Sequence, residues 1–236
     1  MKLTRSILIS FIALFMVLLA SSCASKNVLF SDEVHDFVAS DLLGMIYDAQ
    51  NRPCHGALIV IDGKKRRYVR SDINGRFIIQ DLRAGSHQIE VSKKGFEPNT
   101  FDVDFISRKQ VLHIRLISIE TLLNTAEAAL DSLEWNEAEA ALIRASKIDD
   151  EDSRYLSLMG AFTYRTGDYE AALLYWKALL HKGHRDPYLY LLIADTWQYG
   201  LQNPEEAVIW LKKYLSSKED SNVRERLNSL TLDQEQ

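Results

Sequence analysis

The sequence predicts a two-part chain, a small antiparallel β-sandwich followed by an α-helical solenoid, and three observations predict it. The apolar period changes from two towards 3.6 near Ser118, where Val, Ile, Gly and turn residues give way to Ala, Leu and Glu. Beyond that point Ala138, Ala172 and Ala207 mark three similar units. They recur at intervals of about 34 residues, as in a stacked helical repeat, and the second interval is the longer by one. Charge divides at the same place. Residues 42–118 hold 13 Lys+Arg against 8 Asp+Glu (+5), and residues 119–236 hold 12 against 21 (−9), as two domains with different surfaces do.

The strands follow from alternation and turn chemistry. Leu43–Tyr47 is the first, stopped by the polar run from Asp48 to Pro53. Ala57–Ile61 leads into Asp62-Gly63, a dipeptide that favours a tight hairpin, and 66–71 is the returning strand. Asp72-Ile73-Asn74-Gly75 is a second turn, before Arg76–Ile79. His87–Val91, Phe101–Phe105 and Val111–Ile117 complete seven strands, and their alternation fits one buried face each. So many short strands in close succession predict a sandwich.

Here the residues carry a resemblance. Gly44, Asp48, Pro53 and Gly56-Ala57 are followed in order by Ser71-Asp72-x-Asn74-Gly75-Arg76-Phe77, Asp81-Leu82-x-x-Gly85 and Lys94-Gly95-Phe96. This series resembles the carboxypeptidase regulatory-like domain over residues 42–118. The resemblance implies a prealbumin-like β-sandwich without catalytic residues of its own, acting as an accessory, spacing or interaction module.

Residues 119–221 repeat a helix pair. The units read Leu122…Ala126…Trp135…Ala138…Leu142, then Leu156…Gly160…Gly167-Asp168-Tyr169…Ala172…Trp176, then Leu191…Ala194…Tyr199…Pro204…Ala207…Leu211. They are similar to tetratricopeptide repeats (TPRs), in which small residues let paired helices approach and large ones fill the gaps. The second unit matches best. The first has Leu133-Glu134-Trp135 where Gly-Asp-Tyr is usual, and the third is read with Asp195 in place of helix A's small residue. Residues 222–236 are expected to form a polar capping helix and tail. In the TPR family, ligands lie along the concave face made by the first helix of each pair. That resemblance nominates Glu120, Leu123 and Glu127, then Arg154, Ser157, Tyr164 and Arg165, then Leu192, Thr196 and Tyr199. The same residues also fit a solvated face with aromatics packed on the next repeat. The Lys and Asn set that clamps a peptide carboxylate in chaperone-binding TPRs is missing, so that ligand class is not expected.

Residues 1–22 read as a signal peptide, with Lys2 and Arg5 ahead of an apolar run, Ile7–Ala20, that only Ser10 interrupts, and a small-residue cleavage zone. Cys23 at the cut resembles the lipobox of bacterial lipoproteins, which implies an acylated thiol. Ala20 and Ser22 also suit ordinary signal peptidase. Residues 23–41 are expected to be lipid anchor and linker. With Cys23 acylated, Cys54 is the only thiol left, so no internal disulfide forms; it reads as a small half-buried residue or as a thiol that pairs with another chain.

Composition narrows function. At 47% hydrophobic and 26% charged the chain is ordinarily globular, and a net charge of −5 excludes a generally basic nucleic-acid binder. His181, His184 and Asp186 lie close in sequence, but a zinc site needs three or four converging ligands. Asp149-Asp150-Glu151-Asp152 lacks the spacing and glycine of an EF-hand and reads as an inter-repeat turn. The bases at 64–67 fit either a soluble hairpin tip or contact with anionic headgroups. No nucleophile motif, phosphate loop or dinucleotide fingerprint occurs. The expectation is a non-enzymatic, cofactor-free envelope lipoprotein, facing the periplasm or the cell surface. It would bind an envelope protein or peptide partner through its TPRs, as an adaptor in envelope or secretion-machinery assembly. Ala24 and Ser25 carry no inner-membrane retention Asp, which leans towards the outer membrane. The alternative is a cell-wall or glycan-binding lipoprotein using Tyr68 and Phe96 of the β domain.

Overall fold

The computed structural model describes residues 38–64 and 67–233. The signal segment, Cys23, the linker up to residue 37, and Lys65 and Arg66 lie outside the described residues. Among the described residues no helix is long and apolar enough to cross a membrane.

Among the same residues, seven strands form two facing sheets: β1 (Ala39–Asp48), β2 (Leu58–Ile61), β3 (Tyr68–Arg70), β4 (Arg76–Arg83), β5 (Gly85–Ser92), β6 (Asn99–Phe105) and β7 (Val111–Leu116). One sheet has the order β4-β1-β7 and the other β3-β2-β5-β6. Alternate side chains meet between them. Leu42, Ile46, Ile59, Phe77, Ile89 and Phe105 are all buried in this layer, each contributing roughly 1.5–3 kcal/mol. Cys54 is buried at its edge, and burial pushes its thiol pKa up.

The sheets differ from expectation in three places. β7 runs parallel to β1, with Leu43 opposite Val111 and Asp48 opposite Leu116, so the three-stranded sheet is mixed. A tight hairpin forces antiparallel pairing, but β7 reaches β1 only after the chain has crossed the other sheet, which serves as the crossover. β1 also begins at Ala39, inside the expected linker, because Ala39 and Ser40 pair with Arg83 and Leu82 before a bulge. Backbone pairing needs no apolar side chain, so periodicity did not reveal it. Asp62-Gly63 turns the chain as expected, with φ of 53° and 62°, the left-handed pair of a type I′ turn. But Ile61 N–H donates to Arg67 O and the strands pair only from Val60 and Tyr68. The connection is therefore longer than a two-residue hairpin, and β3 begins later than expected.

Helices then follow in pairs: α1 (Ile119–Asp131) with α2 (Trp135–Ser146), α3 (Ser153–Thr166) with α4 (Tyr169–His181), and α5 (Pro187–Asp195) with α6 (Pro204–Ser217). α7 (Ser221–Asp233) packs on α6. Ser118, Asp152 and Asp186 cap the first helix of each pair through side-chain oxygens, at equal spacing along the chain. The acidic stretch 149–152 is thus the turn between repeats, ending in a cap. The turn within each pair holds one left-handed residue, five before the alanine: Leu133 (φ 61°), Gly167 (φ 90°) and Gln202 (φ 52°). The three units share this backbone even where the usual Gly is replaced.

The third unit is one residue longer, and the structure shows where the residue goes. A π-helical turn, Thr196–Gly200, continues α5. Such a turn absorbs a single insertion without breaking the helix. The small buried residue of this helix is therefore Ala194, fully buried beside Leu211 and Tyr214. The reading that gave its place to Asp195 is corrected by one position.

The two halves meet directly. Ile119 N–H donates to Gly95 O (3.0 Å), and Glu97 N–H donates to Ile117 O (2.9 Å). Arg144 on α2 grips the Glu97 carboxylate with two bonds, of 3.0 and 2.6 Å. The Arg144 guanidinium holds the Glu97 carboxyl below the usual carboxylate range, against a smaller opposing effect of burial. A lowered native pKa means that the pair's contribution is present above the unfolded pKa and is lost as pH falls through the native one. Arg144→Gln is expected to destabilise by about 1 kcal/mol or less at neutral pH, as suits a half-exposed pair. The difference from wild type should vanish in acid, measured by urea unfolding across pH.

Candidate functional site

The face made by α1, α3, α5 and the π turn that continues α5 carries eight of the ten nominated residues. Its first part is an ion pair between repeats, Glu127 on α1 with Arg154 on α3 (2.5 Å). Arg165 reaches from the end of α3 to the Leu130 carbonyl (2.8 Å), covering the last turn of α1. Tyr164 is half-buried, edge-on to Tyr169 (5.5 Å between ring centroids) and tilted against Trp176 (5.7 Å). Burial pushes its hydroxyl pKa up, and Asp195 and Tyr199 nearby add to that. Glu120 and Ser157 are exposed on the same helices, and Leu192 and Tyr199 are exposed at 42% and 55%.

Two nominated residues are not on this surface. Leu123 is 2% exposed and belongs to the core between helices. Thr196 is fully buried, its hydroxyl donating to Leu192 O (2.7 Å) inside the π turn. Leu123 fails because an apolar residue at the tight helix contact is worth more inside. Thr196 fails because its nomination assumed the uncorrected register.

The corrected register brings in residues that the sequence reading missed. Asp195 and Gln198 hold Arg226, which comes from α7. Arg226 Nη1 donates to Asp195 Oδ1 and Nε to Gln198 Oε1, both at 2.7 Å. Its guanidinium also lies 4.9 Å from the Tyr199 ring centroid. Arg226 Nη2 is buried without a hydrogen-bond partner among the described residues. Tyr188, another missed member, is exposed at the start of α5 with Lys218 Nζ 4.2 Å over its ring. The signal for Asp195 was available, since the longer second interval announces an inserted residue. Nothing local in the sequence announced Arg226, because its partners lie in an earlier helix pair.

The resulting surface alternates fixed charge pairs with exposed tyrosine rings. What such a surface offers chemically is ring contact and charge pairing. Among the described residues no three His, Cys, Asp or Glu side chains gather as metal ligands. His184 Nε2 instead lies 2.8 Å from Ser153 Oγ.

These features define a β-sandwich joined to a TPR-type helical array. Residues 41–116 match the family model of the carboxypeptidase regulatory-like domain. No curated protein sequence matches the chain. Among solved structures, the helical half is similar to the first TPR domain of Spaghetti (RPAP3) bound to an HSP90 peptide. That match has 12% identity and a TM-score of 0.44, covering 50% of this chain and 94% of that one. The type III secretion translocator chaperone SycD of Yersinia enterocolitica is similar at 18% identity and a TM-score of 0.45, over 50% of this chain and 86% of that one. The N-terminal domain of stress-induced protein-1 from C. elegans is similar at 12% identity and a TM-score of 0.42, over 48% and 94%.

Proposed function

We propose that this protein is a non-enzymatic adaptor, exported and held at a membrane by acylated Cys23, that binds an extended segment of an envelope protein on the α1–α3–α5 face. The observation that carries the reading is the surface from Glu127 to Arg226, where ion pairs bridge successive elements and Tyr199 remains exposed between them. Fixed side chains lose little entropy on binding, so the surface suits an ordered contact with a polypeptide. The export reading rests on the N-terminal order of bases, apolar run and cysteine. The β domain then spaces the array from the membrane.

The test is crosslinking in the native cell followed by capture of the full chain. Tyr199→Ala with Glu127→Lys is expected to reduce recovery of the specific partner about tenfold or more, as loss of an aromatic anchor and a charge does. Recovery unchanged by the double variant would refute binding on this face. Cys23→Ala is expected to move the chain from the membrane to the soluble fraction, and an unmoved chain would refute lipid anchoring.

A further inference from the structure

The β domain holds a second feature, far in kind from the helical face. A cleft of about 550 Å³ opens on the outer side of the four-stranded sheet, beside the turn that joins the two halves. Its floor is Leu58, which pairs across the sheet with Arg70 on one side and Ser92 on the other. His55, Lys93, Lys94 and Phe96 complete the rim. Arg70, Lys93, Lys94 and His55 are basic, and among the described residues no carboxylate lines the cleft.

Two nearby acids, Asp48 and Glu97, are committed elsewhere. Asp48 is held by Arg52 Nε (2.7 Å), and Glu97 by Arg144. Among the described residues Lys93 and Arg70 hydrogen-bond only neutral oxygen: Lys93 Nζ donates to His55 O (2.9 Å) and Arg70 Nη1 to Gly56 O (3.2 Å). These two bonds draw both cations to the same short loop. The loop is itself fixed, since the buried Ser71 hydroxyl donates to Cys54 O (2.5 Å) and accepts from Ala57 N–H (2.9 Å). Lys94 is exposed and has no ion pair among the described residues. Lys93 Nζ also stands 5.1 Å over the Phe96 ring, an apolar surface next to the charge.

We infer that this cleft binds a ligand carrying a phosphate group, with Arg70, Lys93 and Lys94 taking the phosphate oxygens and Leu58 and Phe96 taking the attached carbon skeleton. A phosphate offers several oxygens in different directions, which matches cations arriving from the end of one strand and from the turn after another. Cations without carboxylate partners lose no existing ion pair when such a ligand arrives. A cleft of this size is within the range of small-ligand sites. The source of the phosphate is either a soluble phosphomonoester or a phospholipid headgroup, and both use the same contacts.

The test is isothermal titration of the full chain in nonionic detergent. The probes are inorganic phosphate, glycerophosphate, glycerophosphoglycerol (the deacylated headgroup of phosphatidylglycerol) and neutral glycerol. Saturable binding of the phosphate probes and none of glycerol is expected. Arg70→Gln and Lys94→Gln lie on the exposed rim, so both should fold, checked by circular dichroism. Each should weaken binding about tenfold, the effect of one charged hydrogen bond. Tighter binding of glycerophosphoglycerol would assign the headgroup, and tighter binding of glycerophosphate the soluble ester. Absence of saturable binding to every phosphate probe overturns the inference. So does equal binding by both variants and wild type.

Discussion

Trp176→Ala is expected to destabilise the helical array by about 3–5 kcal/mol, the cost of emptying a large aromatic site. The ring is 2% exposed and fills the contact between α3 and α4. It sits against Gly160, where an added Cβ would collide with the indole nitrogen and lie 2.6 Å from Cδ1. That approach is possible only because the facing helix has no side chain there. Removing the indole therefore leaves a cavity bounded by backbone, which cannot collapse without shifting a helix. In a repeat array each unit is stabilised by its neighbours, so the loss weakens α1–α2 and α5–α6 as well. Urea unfolding followed by far-ultraviolet circular dichroism measures the loss. Hydrogen exchange should show protection retained in β5 and reduced in α3 and α4. A change below about 1 kcal/mol would mean that the array repacks around the site, contrary to this account. The reciprocal change, Gly160→Ala, is destabilising although alanine favours helix, because the added methyl meets the same ring.

Gly75→Ala is expected to cost about 3 kcal/mol in the β domain, within the range of substitutions that combine strain with collision. Its φ of 74° lies in the left-handed region, which alone costs an alanine about 1–2 kcal/mol. The larger obstacle is backbone. A Cβ at Gly75 would overlap the Ile46 carbonyl oxygen and stand 3.2 Å from the Cys54 nitrogen. Those atoms cannot rotate away. Ile46 N–H donates to Gly75 O (2.8 Å), and Cys54 N–H donates to Ile46 O (2.9 Å). Any shift that admits the methyl breaks bonds in which β1 takes part. Gly63→Ala provides the comparison: its φ is similarly positive at 62°, but the nearest atom to an added Cβ is a mobile Glu90 oxygen at 4.0 Å. It should lose only about 1 kcal/mol, from backbone strain alone. Thermal unfolding of the two variants separates strain from collision. Equal losses would show that the Ile46 contact is not the cause.

Much of the fold was readable because it rests on local chemistry. Asp62-Gly63 has the left-handed pair of angles that its turn demands, and the acidic stretch 149–152 is the turn between repeats that its composition predicted. The face was readable only in part. Glu127, Arg154, Tyr164 and Tyr199 occupy it, while Leu123 and Thr196 are buried. Leu123 shows the limit of placement by analogy: position in a repeat gives direction, but neighbours decide exposure. Thr196 shows how a single insertion moves the assignments counted back across it from Ala207, since each helical residue turns the side chain by about 100°.

By itself the sequence determined the two-part architecture, the succession of strands along the chain, the repeat spacing and the basic-to-acidic change at Ser118. These follow from periodicity, turn residues and charge, which act over a short stretch of chain. Tertiary structure decided the parallel pairing of β7 with β1, the π turn that restores Ala194 to the core, and the reach of Arg226 into Asp195. It also gathered Arg70, Lys93 and Lys94 around one cleft, from a strand and a turn distant in sequence. Each of these joins residues that local propensity cannot relate, because the free energy that fixes them comes from packing and pairing between elements that are already formed.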